Sequence, residues 1–300
     1  MELLTARRRL GHVLVAGTFL VAGCTAHPAT GPVGATALPP DVDTMLFPDA
    51  GWVADSVRIR VAEEVLVGDC LADRGHDYPA PPYSLLRPGA AATTPTVLAD
   101  DDSYGLLADA KAQREVPPPS PRRADAWQRD LYGPAGRQGS LTLPTGIEAQ
   151  FPTRGCLAAA KRELYGSSLR AARVDTEIGA FRSDVAEEAG AQAPVRQALG
   201  AWVDCMRERG VAASSPHHAI DTLRTEYAEH GPTPEMADRE AVVAQADADC
   251  DRASGYRDTY RTHAAALVAA LTGGIGEHLV ELAAARRGAE RRAAAVLARG

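Results

Sequence analysis

The sequence predicts a mainly α protein, an irregular helical bundle with two disulfide-stapled helix pairs and a long Pro-rich arm. Three observations predict it. Apolar residues recur at helical spacing over most of the chain after residue 155, with caps and breaks between the runs. Four cysteines, an even number, remain once the N-terminal Cys24 is set aside. Nine prolines fall within residues 76–121, well above the ordinary share of about 5%.

The first 23 residues read as a signal peptide. Arg7, Arg8 and Arg9 precede 13 mostly apolar residues, 10–22. A spanning helix needs about 20 apolar residues, so this run has the size of a signal-peptide core. It ends Val21-Ala22-Gly23-Cys24, which resembles the bacterial lipobox. There, small side chains precede the cut and the Cys thiol receives a diacylglyceryl group. The resemblance implies that Cys24 is lipidated and becomes the new N-terminus. Two acyl chains suffice for stable anchoring. Arg7 to Leu10 matches a twin-arginine signal only weakly, so both the general and the twin-arginine export routes stay open. Residues 24–40 follow as lipidated Cys and tether. Positions 25–40 are small residues and Pro, too poor in apolar surface to offset the entropy of ordering. Residues 41–300 form the extracytoplasmic domain, with an irregular arm over 76–155 and a helical part over 156–300.

Within that domain, 52–75 reads as a helix, because Val53, Val57, Val61 and Val65 recur every four residues. The arm contains a short helix near 106–114 and a short strand at Leu141-Thr142-Leu143. Helices follow at 157–165, 169–189 and 195–209. Ser215-Pro216 and Thr233-Pro234 are N-cap signals for two more, running to about residues 229 and 253. Leu267, Leu271, Ile275, Leu279 and Leu282 mark a last helix, kinked at Gly273-Gly274.

Exported chains oxidise paired cysteines. Cys70, Cys156, Cys205 and Cys250 allow three pairings. A weak internal repeat, DCLADRG at 69–75 and DCMRERG at 204–210, places Cys70 and Cys205 where a helix stops at Gly. Each is followed by a Cys in an Ala-rich helical stretch, which favours Cys70–Cys156 and Cys205–Cys250. No Cys-x-x-Cys occurs, and no His stands at zinc-ligand spacing from these cysteines.

Catalytic and metal motifs fall short. His217, His218 and Asp221 crowd a helix start, where exposed polar residues are ordinary. Glu277-His278 with Glu281 lacks the second His of a zinc protease. Asp100-Asp101-Asp102 opens like a calcium loop, but Lys111 stands at its twelfth position instead of Glu. Asp247 and Asp249 read as exposed helix positions beside Cys250, and Trp202, Val203 and Met206 as one buried stripe. Neither a cofactor nor a metal is expected.

The lipobox VAGC, with GCLAAAKRELYG (155–166), WVDCMRERG (202–210) and ADADC (246–250), resembles a group of uncharacterised secreted or lipid-anchored actinobacterial proteins. The resemblance implies an envelope location and brings no activity with it.

Charge narrows the partners. The chain carries 32 Lys+Arg against 39 Asp+Glu, a net of −7. Removing residues 1–23 takes three Arg and one Glu and leaves −9. Such a balance argues against nucleic acid, which needs a clustered basic surface. The exception is the C-terminus, where Arg286, Arg287, Arg291, Arg292 and Arg299 stand against Glu290. Cations at a helix end favour the macrodipole, and they also suit anionic headgroups or an acidic partner. Arg286, Arg287, Arg291 and Arg292 are therefore the candidate membrane or partner contact. The expected function is that of a lipid-anchored, extracytoplasmic interaction module, held to the outer face of the membrane by Cys24. It would serve an unknown envelope protein or cell-wall component. The alternatives are a solute-binding lipoprotein and an envelope hydrolase.

Overall fold

The computed structural model describes residues 38–48, 50–78, 103–115, 125–143, 146, 148–270 and 274–299. The signal peptide, Cys24, most of the tether and the Asp100–Asp102 run lie outside these residues. The described residues form eleven helices and one two-stranded hairpin. In chain order these are α1 (Pro40–Leu46), α2 (Ala50–Ala72), α3 (Leu106–Glu115), α4 (Asp125–Tyr132), β1 (Gln138–Thr142), β2 (Glu148–Pro152), α5 (Gly155–Tyr165), α6 (Ser168–Gly190), α7 (Ala193–Glu208), α8 (Pro216–His230), α9 (Pro234–Ser254), α10 (Tyr256–Ala269) and α11 (Gly274–Leu297).

The helices start and stop where local chemistry requires it. Ser167, Ser215 and Thr233 each accept a hydrogen bond from the backbone N–H three residues on, opening α6, α8 and α9. Pro216 and Pro234 occupy first-turn positions whose missing N–H costs nothing. The DCLADRG and DCMRERG repeat makes the same helix stop twice. Gly75 and Gly210 both adopt φ +77°. The next N–H, from His76 or Val211, reaches back to Leu71 O at 3.0 Å or Met206 O at 2.9 Å. That six-to-one bond, with Gly75 N–H to Ala72 O and Gly210 N–H to Arg207 O, is a Schellman stop.

Two disulfides follow the pairing that the repeat favours. Cys70–Cys156 joins the end of α2 to the start of α5, and Cys205–Cys250 joins α7 to α9, both with Cα atoms 5.6 Å apart. A small apolar cluster of Val67, Leu71, Leu131 and Ala160 surrounds the first. The second lies beside Trp202 and Met206 in the main core. That core runs from Val42 and Leu46 in α1 to Val296 in α11. Helix α6 packs on α5, α10 and α11, and α2 lies against both α5 and α11.

Two expectations change. The 76–155 stretch holds more regular structure than expected. The anticipated short helix and strand appear as α3 and β1, and α4 and β2 are added, β2 pairing antiparallel with β1 in register from Gln138 opposite Pro152 to Thr142 opposite Glu148. Tyr104 and Leu106 from this stretch are buried because their backbone finds a partner on α9, described below, and Leu131 is buried in the cluster around the first disulfide. The terminal helix is two helices, α10 and α11, rather than one kinked element, with residues 271–273 between them outside the described set.

Candidate functional site

Buried ionisable groups are the first candidates for chemistry, and here each is spent on holding the fold. Glu240 and Asp247 lie seven residues apart on α9, hence on one face, and each is 1% exposed. Glu240 accepts from the N–H groups of Tyr104 (2.8 Å), Leu106 (3.0 Å) and Leu107 (3.0 Å), and from Tyr227 OH (2.7 Å). A carboxylate at the first turn of α3 satisfies N–H groups that have no partner within the helix. Asp247 accepts from Trp202 Nε1 (2.9 Å), Tyr104 OH (2.8 Å) and Arg257 Nη2 (2.7 Å). The expectation that Asp247 is an exposed position beside the disulfide is therefore corrected. It faces inward because Arg257 and two aromatic donors converge on it.

Lys161 on α5 bridges Glu63 (3.0 Å) and Asp175 (2.8 Å). Burial works against its ammonium, but Asp175 and Glu63 together outweigh that and hold its pKa above the ordinary lysine value. Trp52 lies between two guanidinium groups, Arg182 at 4.4 Å and Arg286 at 4.5 Å from the ring centroid. Arg182 also donates from Nε to Met45 O at 2.7 Å. Desolvation, reinforced by Arg286, lowers the Arg182 pKa to about 10.

The four C-terminal arginines singled out in the sequence separate into two sets. Arg286 is buried, donates to Trp52 O (3.0 Å) and Ser56 Oγ (2.8 Å), and pairs with Glu290. Arg287 pairs with Asp41 of α1. Arg286 is therefore corrected from a surface contact to a core clamp, because Trp52 offers it a ring face and a carbonyl that water would not. The other two, Arg291 and Arg292, are exposed and line a groove between α6 and α11.

That groove holds about 620 Å³. Arg170 and Arg173 of α6 form one wall, and Arg291 and Arg292 of α11 the other, with Ala284, Ala285 and Gly288 between them. A Cβ at Gly288 would stand 2.9 Å from Arg292 Nη2, so glycine there lets the guanidinium lie back over the helix. Arg170 donates to Tyr165 O at 3.1 Å, and Arg292 Nε donates to Leu164 O. Both carbonyls end α5, so these two arginines complete its C-terminus. Among the described residues Arg173 has only Glu177, at 3.7 Å, and is 45% exposed. Glu281, 77% exposed, and His278, which bonds Glu177 at 2.6 Å, complete the polar lining. Four guanidinium groups against the lining Glu281 and against Glu177, which pairs with Arg173 and His278, leave the groove with an excess of positive charge that suits an anion.

Sequence reasoning missed Arg170 and Arg173. One signal was available, since cations in the first turns of a helix oppose its dipole and need a counter-charge. A smaller recess of about 390 Å³ holds Arg74, Arg129 and Arg154, but Asp130 already takes Arg74 (3.1 Å) and His76 (2.8 Å).

The His217, His218 and Asp221 cluster resolves into local pairs. His217 bonds Asp221 at 3.0 Å, and His218 Nδ1 meets Ser214 at 3.1 Å. No group of three or more His, Cys, Asp or Glu among the described residues could hold a metal ion. No helix among the described residues is long and apolar enough to cross a membrane. Comparison with family models, with curated proteins and with solved structures finds no match to this chain.

Proposed function

We propose that this chain is a lipid-anchored, extracytoplasmic binding module, held at the outer face of the membrane through Cys24. It acts by presenting the α6–α11 groove to an anionic partner in the envelope. The observation that carries the reading is the groove itself, which gathers Arg170, Arg173, Arg291 and Arg292 on a chain of net charge −7. The two disulfides are compatible with an oxidising, extracytoplasmic compartment. Binding rather than catalysis is favoured because Glu240, Asp247 and Lys161 are each consumed by partners that close the fold.

The reading is tested by sedimenting the mature, unlipidated Cys24→Ala chain, without residues 1–23, with isolated cell envelopes. It should co-sediment at low salt and come off as salt rises, since surface charges are screened beyond about 10 Å at 0.1 M. The Arg173→Glu/Arg291→Glu variant should stay in the supernatant. Equal sedimentation of the two chains would overturn the groove as the binding surface.

A further inference from the structure

Resting on that reading of the anchor, we infer that the α6–α11 groove seats the headgroup of an anionic phospholipid in the membrane from which the chain hangs. Three observations converge on this occupant. The first is charge. Among the described residues Arg291 makes no ion pair or side-chain hydrogen bond, and Arg173 makes only a loose 3.7 Å pair with Glu177 while staying 45% exposed, so both guanidinium groups can turn to a phosphodiester, for which Arg is well shaped.

The second is where the chain leaves the body. Helix α1 is fastened to the helical body by Arg287–Asp41 and Arg261–Asp43. Arg287 sits three residues after Ala284 and four before Arg291, both of which line the groove. Residues three and four apart are neighbours on a helix, so α1 is clasped at the groove's edge. From Leu38 back to Cys24 there are 14 peptide units, a span of at most about 50 Å even when fully extended. A lipid on Cys24 therefore keeps this edge of the molecule within reach of the bilayer. It also raises the effective concentration of headgroups at the groove far above that seen by a free protein.

The third is the rim. Leu169, 40% exposed, stands beside Arg170 and Arg173. An apolar side chain next to cations suits a charged headgroup that continues into acyl chain better than it suits a fully polar ligand. The volume, about 620 Å³, exceeds what a lone phosphate fills and leaves room for the glycerol unit.

The test uses the mature Cys24→Ala chain, without residues 1–23, and vesicles of phosphatidylcholine with and without phosphatidylglycerol. Binding is expected only where phosphatidylglycerol is present, and it should fade as salt rises. Arg173→Gln/Arg291→Gln should weaken it on the order of tenfold, with unchanged thermal unfolding. Arg173→Lys/Arg291→Lys should retain most of it. A control of equal charge change, Arg207→Gln/Arg252→Gln, removes two side chains that are each 69% exposed elsewhere, and should bind like the parent. Equal loss in groove and control variants would overturn the inference, because attraction would then be diffuse. Saturable binding of inorganic phosphate at the groove with no vesicle binding would also overturn it, as would displacement from vesicles by poly-glutamate at equal charge concentration. Failure of the anchoring reading shows elsewhere, as Cys24→Ala chain that stays on cell membranes through a high-salt wash while the vesicle result stands.

Discussion

Glu240 accepts four hydrogen bonds while only 1% exposed, three of them from the backbone at Tyr104, Leu106 and Leu107. The energy of such a site lies in the charge it satisfies and in the N–H groups that would otherwise be orphaned. Glu240→Gln turns an amide nitrogen toward donors. It should lower stability by about 2–4 kcal/mol in denaturant unfolding and expose the 103–115 segment to protease before the helical body. A midpoint unchanged from the parent would contradict this role. The tyrosines give a second residue-scale expectation. Burial raises the pKa of Tyr104, reinforced by neighbouring Asp247. Burial also raises Tyr165 and Tyr260. Above about pH 10 the unfolded chain loses these phenolic protons while the folded chain keeps them. The folded state then binds more protons, so stability falls as pH rises past the ordinary tyrosine value. Phenolate absorbance and helical circular dichroism should therefore change together in alkaline titration. Ionisation of these tyrosines in a chain that stays fully helical would contradict their burial.

At the scale of elements, the four-residue spacing of Val53, Val57, Val61 and Val65 correctly marks α2 as a helix but not its buried face. Four residues advance 400°, so the row drifts about 40° per step around a 3.6-residue helix. Val57 ends buried at 3% and Val65 exposed at 38%. The helix stops were legible because DCLADRG and DCMRERG carry their own C-cap chemistry, and the same local rule pointed to the cysteine pairs. The placement of 103–115 was not legible, since its docking depends on Glu240, more than 130 residues away. The staples enclose sequence separations of 86 and 45 residues. Removing either pair, as Cys70→Ala/Cys156→Ala or Cys205→Ala/Cys250→Ala, should cost about 2–4 kcal/mol. The first should chiefly loosen α4 and the start of α5, which share the small cluster around Leu71 and Leu131. The second should loosen the core around Trp202. Hydrogen exchange that rises uniformly in both variants would show that the staples do not act locally.

For the whole molecule, charge is separated by position rather than by amount. Arg286 is spent inside on Trp52 and Arg287 at the surface on Asp41 of α1, while Arg291 and Arg292 meet Arg170 and Arg173 across a groove. The sequence exposed the C-terminal arginines as a cluster. It could not show which of them face inward, or that α6 would bring two more from over a hundred residues earlier, because helix packing decides both. Replacing Arg286 should accordingly destabilise the fold, unlike replacing Arg291. Arg286→Gln is expected to cost about 2–3 kcal/mol through lost charge-assisted bonds and the ring contact, measured as a fall in the thermal midpoint that Arg291→Gln does not share. The central proposal is that a lipid on Cys24 ties this body to a membrane. Metabolic labelling with a fatty acid, followed by membrane fractionation in high salt, which releases chain held only by the groove, tests it most directly on the parent and on Cys24→Ala. The account predicts a labelled parent in the membrane fraction and an unlabelled, released Cys24→Ala chain, whereas a parent without label, or a variant equally retained on membranes, would contradict it.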